Sequence, residues 1–104
     1  MPKQLSVAAL TVLHAVATGT SHGFDIIDAT GLPSGTVYPA LTRLERDGFV
    51  RSDWERAATA RAGKRPRRRY YSATPAGVAA LNDALGRLHA LRPVRLARAD
   101  RSDG

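Results

Sequence analysis

Two groups of residues could do chemistry. Between Arg61 and Arg69 the chain carries Arg61, Lys64, Arg65, Arg67, Arg68 and Arg69, six of its 16 lysines and arginines in one short window. The stretch LPSGTVYPALTRLERDGFVRSDW, Leu32 to Trp54, carries Ser34, Gly35, Thr36, Tyr38, Thr42, Arg43 and Arg46 around a proline, Pro39. Guanidinium and ammonium groups neutralise phosphates, while small residues at a helix start expose N–H groups that donate to an anion. Taken alone, a run of charge is better explained by a solvated loop than by a binding site. What decides between the two is where the neighbouring elements put it.

Catalytic chemistry finds little support. His14 stands on an apolar segment, His22 at a helix start and His89 near a helix end, and their spacing makes no metal site. There is no cysteine, and no serine has an evident base beside it. Asp25 and Asp28 suit the positive end of a short helix better than an acid pair. The protein is read as non-enzymatic, with no cofactor and no metal.

Composition narrows the partner. A formal net charge of +7 and a pI near 11.0 over 104 residues and 11.2 kDa point to a polyanion or an acidic surface. A chain this short builds one small domain with a modest core, which a partner subunit would help. The N-terminal MPKQLSVAALTVLHAVATG is too short and too polar for an anchor or a signal peptide, so a cytoplasmic location with no membrane contact is expected.

The positioning elements follow from periodicity. Leu5 to Thr18 reads as a helix with one stripe at Leu5, Ala9, Val12 and Val16 and a second at Leu10, Leu13 and Ala17. A second helix, His22 to Thr30, is capped by Thr20 or Ser21, turns Phe24 and Ile27 inward and stops at Gly31. Pro39 requires the third helix to begin near Ser34 or Thr36, so that its missing N–H and its ring fall in the first turns, with Gly35 four residues before it. Val37, Leu41 and Leu44 share the buried face, which leaves Tyr38 and Arg43 outward, the latter also within reach of Asp47 at i+4. Gly48 ends that helix and Phe49 folds back in a Schellman stop.

The period then changes to two. Val50, Ser52 and Trp54 alternate with Arg51, Asp53 and Glu55, and a partner strand runs from Arg69 to Thr74. The two form a hairpin whose long loop, Arg56 to Pro66, holds much of the basic cluster, and Trp54 is read as hairpin core. Alternation sends Arg67 and Arg69 to one side and Arg68 to the other, so at least one of them is structural. Thr74 and Pro75 start a last helix running to about Arg92, with Val78, Leu81, Leu85, Leu88 and then Leu91 on a seam suited to pairing. Residues 1–92 form the domain and 93–104 a disordered tail.

The expected fold is mainly α with a small β-hairpin, a winged helix-turn-helix in the order α-α-α-β-β-α. In such a unit the third helix enters the major groove by its N-terminal part and the hairpin lies on the backbone or in the minor groove. The segments HGFDII, LPSGTVYPALTRLERDGFVRSDWE and GKRPRRRYYSATPAG closely resemble the PadR family of winged-helix transcriptional regulators, over most of the chain from Leu5 to about Leu91. The single helix after the hairpin resembles the short members that have no large effector domain.

The resemblance implies a homodimer that binds a roughly palindromic double-stranded DNA operator and usually represses. By matching motif, the implied DNA-binding residues are Ser34, Gly35, Thr36, Tyr38, Pro39 and Arg43 on the helix, with Lys64, Arg65, Arg67 and Arg68 on the wing. The dimer interface would use Leu5, Leu10, Leu13, Val78, Leu81, Leu85 and Leu88. A small-molecule effector is left unassigned. The competing expectation is a basic winged-helix adaptor for RNA or an acidic protein partner.

Overall fold

Val12, Leu13, Ile26, Val37, Leu41 and Leu44 lose all or nearly all contact with solvent and form the centre on which every other element is placed. The structure, a computed structural model, describes residues 4–94; of the expected tail, residues 95–104 lie outside the described residues. In chain order the elements are α1 (Val7–Ala17), α2 (Gly23–Thr30), α3 (Ser34–Arg46), β1 (Val50–Trp54), α4 (Ala57–Ala62), β2 (Arg69–Ala73) and α5 (Pro75–His89). This is the winged helix-turn-helix expected from the periodicity, with one short helix added between the strands.

Ser6 caps α1, its Oγ accepting from the Ala9 N–H at 3.0 Å. The buried face is Ala9, Val12, Leu13 and Val16, an i, i+3, i+4, i+7 set. Leu13 thus belongs to the protomer's own core. The expected assignment of Leu13 to a second, outward stripe is corrected: on a helix it stands one turn above Ala9 and beside Val12, so the core claims it.

Two further corrections fall on α2. Phe24, expected inward, is 75% exposed, while Ile26 is fully buried. The helix starts at Gly23, and Gly23 and Ile26 set its inner face at i, i+3. Neither Thr20 nor Ser21 caps it; the N-cap is His22, with no side-chain cap. Ser21 is engaged elsewhere, its carbonyl accepting from the Tyr71 N–H at 2.6 Å, and His22 bridges Tyr70 in antiparallel fashion. The segment before α2 therefore lies along the edge of the hairpin.

In α3 the bounds and the buried face are those expected. The helix begins at Ser34, Pro39 is its sixth residue, and Val37, Leu41 and Leu44 are buried. It closes with the Gly48 N–H on the Glu45 carbonyl and the Phe49 N–H on the Leu44 carbonyl, Gly48 standing at φ +80°, which is a Schellman stop. Phe49 packs on the core, and β1 follows at once.

Strands β1 and β2 pair antiparallel with Val50 opposite Ala73, Ser52 opposite Tyr71 and Trp54 opposite Arg69. The connection expected as a loop contains α4. Four of its six residues are alanines, which have the highest helix propensity, and Ala60 is buried, giving so short a helix the packing it needs. It stops with Lys64 in the left-handed region, φ 54°, a conformation usually left to glycine.

Thr74 caps α5, accepting from the Gly77 N–H at 3.0 Å, while its hydroxyl donates to the Gly48 carbonyl at 2.6 Å and its N–H to the Phe49 carbonyl. Gly77 is buried against that same backbone: a Cβ there would stand 2.0 Å from the Phe49 carbonyl oxygen. Leu81 and Ala84 face the core, whereas Val78, Leu85, Leu88 and Leu91 remain exposed. Leu81, expected at a dimer interface, is corrected to core, because it lies on the side of α5 that packs on α1 and β2. The helix ends at His89, three residues earlier than expected.

Gly77→Ala must push α5 off the backbone at Phe49. We expect a loss of about 3 kcal/mol, the upper part of the usual range for overpacking, read as a lower urea midpoint at unchanged slope.

Candidate nucleic-acid interface

At the start of α3 the N–H groups of Thr36 and Val37 already donate to the Pro33 carbonyl at 2.9 and 3.0 Å. Thr36 therefore offers no free N–H, contrary to expectation, because Pro33 stands at the N-cap and its carbonyl closes the first turn. Ser34 and Gly35 are exposed, their N–H groups have no partner among the described residues, and nothing lies within 4 Å of where a Gly35 Cβ would be. A phosphate oxygen can reach that backbone unobstructed.

Further along, Tyr38 is 42% exposed and covers Gly23 with its ring; a Cβ on Gly23 would lie 2.3 Å from the Tyr38 hydroxyl. That glycine is what allows Tyr38 to lie flat across α2. Pro39 and Arg43 are exposed, and Arg43 makes no ion pair among the described residues; it is Arg46 that stands 3.8 Å from Asp47.

The wing is organised around Glu55, which the alternation placed outward with Arg51 and Asp53. It is 6% exposed. Its carboxylate accepts from both arms of Arg65 at 2.5 and 2.7 Å, from the Arg68 N–H at 3.2 Å and from the Tyr70 hydroxyl at 3.1 Å. Its own carbonyl accepts from Arg67 Nε at 2.7 Å. Arg65, implied as a DNA contact, is thus bound bidentate to a carboxylate and braces the loop that carries Lys64. Glu55 sits just past the end of β1, where strand alternation no longer governs which way a side chain points.

Trp54 is a further correction: 56% exposed, it lies outside the hairpin core. The guanidinium groups of Arg67 and Arg69 stand 5.8 and 5.4 Å from its ring centre, a cation–π arrangement. Arg69 also donates to Ser52 Oγ at 2.9 Å and lies 3.6 Å from Glu45, which itself accepts from Ser52 at 2.6 Å. Lys64 is exposed, and Arg68 is half-buried, its side chain making no hydrogen bond or ion pair among the described residues.

Helix and wing meet. A cleft of about 310 Å³ is lined by His22, Phe24 and Tyr38 on one wall and by Pro66, Arg67, Arg68 and Arg69 on the other. Of the candidate DNA-binding residues this cleft brings together Tyr38, Arg65, Arg67 and Arg68, Arg65 with its guanidinium engaged on Glu55, whereas Arg43 lines a separate hollow beside the start of α1 with Arg46 and Asp47. Of the candidate interface residues, Leu5 and Leu10 are half-buried beside a second groove of about 600 Å³ between α1 and α5, which Val7, His14, Leu85 and Leu88 also line.

Elsewhere, His22 is paired with Asp25 at 2.9 Å. No group of three metal-ligating side chains occurs among the described residues, and none of their helices is long and apolar enough to cross a membrane.

The hydrogen bond from Arg65 holds the Glu55 carboxyl down from 4.5 to about 2; burial opposes this, and the Arg68 N–H and Tyr70 hydroxyl assist it. A carboxyl whose folded value is depressed stabilises the fold above its unfolded value. The contribution is thus complete above pH 4.5 and disappears as pH falls toward 2. Fluorescence of the single tryptophan, followed through acid titration, should report wing release in that window, and Glu55→Gln should remove that part of the pH dependence.

Comparison with known proteins places this arrangement. The profile of the Transcriptional regulator PadR-like family matches residues 12–83. The chain is 38% identical over 85 residues to the transcriptional regulator Rv3488 of Mycobacterium tuberculosis, covering 77% of this chain and 74% of that protein. Among solved structures it is similar to a PadR family regulator from Clostridium difficile, with TM-score 0.71, 20% identity, and 81% and 88% of the two chains covered. It is also similar to Bacillus subtilis PadR in complex with operator DNA, with TM-score 0.68, 20% identity, and 91% of this chain and 54% of that one covered. With the family profile spanning α1 to α5 and the winged helix in place, the chain belongs to the PadR-like family of transcriptional regulators, which are not enzymes.

Proposed function

We propose that this protein is a sequence-specific double-stranded DNA-binding regulator, a cytoplasmic homodimeric repressor whose residues 1–92 form the DNA-binding unit. The observation that carries the reading is one cleft flanked by Tyr38 of α3 and by the cationic wing, Arg65 to Arg69. Ser34 and Gly35 present N–H groups to a phosphate, and Thr36, Tyr38, Pro39 and Arg43 line the surface that enters the major groove. Lys64, Arg67 and Arg68 lie on the flanking backbone, with Arg65 in a supporting part. A solved structure similar in fold, that of B. subtilis PadR, is in complex with operator DNA, which supports DNA as the partner.

The homodimer is proposed from the apolar residues left outside: Val7 on α1, Val78, Leu85 and Leu88 on α5, and Leu91 just past its end. Such a set costs solubility unless covered, and two copies related by a twofold axis would read two half-sites about one helical turn apart.

A gel shift with random duplex as competitor tests the whole reading; retention of RNA or an acidic protein where excess duplex fails to compete would favour the adaptor instead. If the dimer neutralises about eight phosphates, log K against log salt falls with slope about −7. Arg43→Ala should cost about 1–3 kcal/mol on the preferred site and relax its sequence, while Lys64→Ala should weaken all duplexes alike and flatten the salt slope. Leu85→Asp should yield monomers in sedimentation; an unchanged dimer would remove α5 from the interface.

A further inference from the structure

Glu45 is an acid on a surface proposed to meet a polyanion. It stands on α3 between Arg43 and Arg46, where a negative charge opposes binding. Its oxygens are directed to the wing. Oε2 accepts from Ser52 Oγ on β1 at 2.6 Å, and Oε1 lies 3.6 Å from the guanidinium of Arg69 on β2. Arg69 Nε donates to that same Ser52 oxygen at 2.9 Å. The hydroxyl thus donates one way and accepts the other, which fixes its rotation. The Arg69 guanidinium then lies 5.4 Å from the Trp54 ring, with that of Arg67 at 5.8 Å. One unbroken chain of contacts joins the end of α3 to both strands and to Trp54.

Backbone bonds already hold the hairpin at two places. Only Asp47, Gly48 and Phe49 separate α3 from β1, and their Schellman bonds fix where the strand begins. On the β2 side the Tyr71 N–H donates to the Ser21 carbonyl and His22 bridges Tyr70. Ser52, two residues into β1, adds a direct side-chain tie from that strand to α3, and Arg69 extends it to the partner strand. The bridge is partly open to water, so it adds little to global stability. Its effect is on direction.

We infer that Glu45, Ser52 and Arg69 are positioning residues that hold the wing at the angle at which it and α3 meet one duplex. This rests on the DNA-binding reading above. It also removes Arg69 from the cations that contact phosphate, and it explains an acid on α3 by what it holds.

Simple electrostatics and positioning predict opposite signs. Glu45→Ala raises the net charge by one, and if Glu45 were only a surface acid every duplex would bind more tightly. Positioning instead lowers affinity for a duplex selected from the host genome by the wild-type protein about tenfold, while affinity for random duplex holds or rises. Ser52→Ala should lose selectivity in the same way with no change of charge. Glu45→Gln, which still accepts from Ser52, should recover part of it. Emission from Trp54 should shift in both alanine variants without DNA, with far-ultraviolet circular dichroism and melting temperature showing that each is folded. Wild-type selectivity retained in folded Ser52→Ala, or tighter binding of the selected duplex by Glu45→Ala, overturns the inference alone. A wild-type protein that holds no duplex overturns the DNA-binding reading and the inference with it.

Discussion

A two-stranded hairpin is marginal by itself in water, and the wing of this protein has only five residues in each strand. Its stability has to be borrowed. On one face Val50, Tyr71 and Ala73 reach the core. Beyond the end of β1 the Glu55 carboxylate gathers Arg65, the Arg68 N–H and the Tyr70 hydroxyl into a single buried knot. A carboxylate so placed is costly to bury unless every oxygen is satisfied, and here each has at least two donors. The knot holds α4 and the loop that carries Lys64 against the strands, so the most basic part of the chain has a definite shape before any ligand arrives.

This changes what the arginine cluster means. Counted in the sequence, the window 61–69 offers six cations of similar kind. In the folded protein they divide: Arg65 is spent on Glu55 and Arg69 on Ser52, Glu45 and Trp54, while Arg67 gives its Nε to the Glu55 carbonyl and stays exposed beside the Trp54 ring. Arg61 and Lys64 stay exposed. Charge density drew attention to the right segment, but it could not separate the groups that present the surface from those that build it.

The elements most legible in the sequence were those fixed by local rules. Pro39 located the start of α3, Gly48 its end, and Thr74 with Pro75 the start of α5, because a missing N–H, a left-handed φ and an N-cap each act within a few residues. Where the outcome depended on contacts distant in sequence, periodicity gave the wrong face. Phe24 points outward because Gly23 must lie beneath Tyr38; Leu13 and Leu81 turn inward because α1 and α5 face each other; Trp54, exposed at the end of β1, is accompanied by Arg67 and Arg69, which lie 13 and 15 residues further along the chain. Glu55 was the hardest to read, since its four donors lie 10 to 15 residues further along the chain. An acid followed at that distance by a run of arginines was the available signal. Alanine content alone could have revealed α4.

The clasp between α5 and the turn after α3 has a geometric consequence. Thr74 holds the carbonyls of residues 48 and 49, and Gly77 lets the main chains touch with no side chain as cushion. The tilt of the last helix and the exit path of the third are therefore one quantity, set main chain to main chain. In an assembly of two copies joined along that last helix, the gap between their reading heads would be dimensioned by peptide geometry, and exchanging side chains on the seam would tune how firmly the copies hold without retuning the span they straddle.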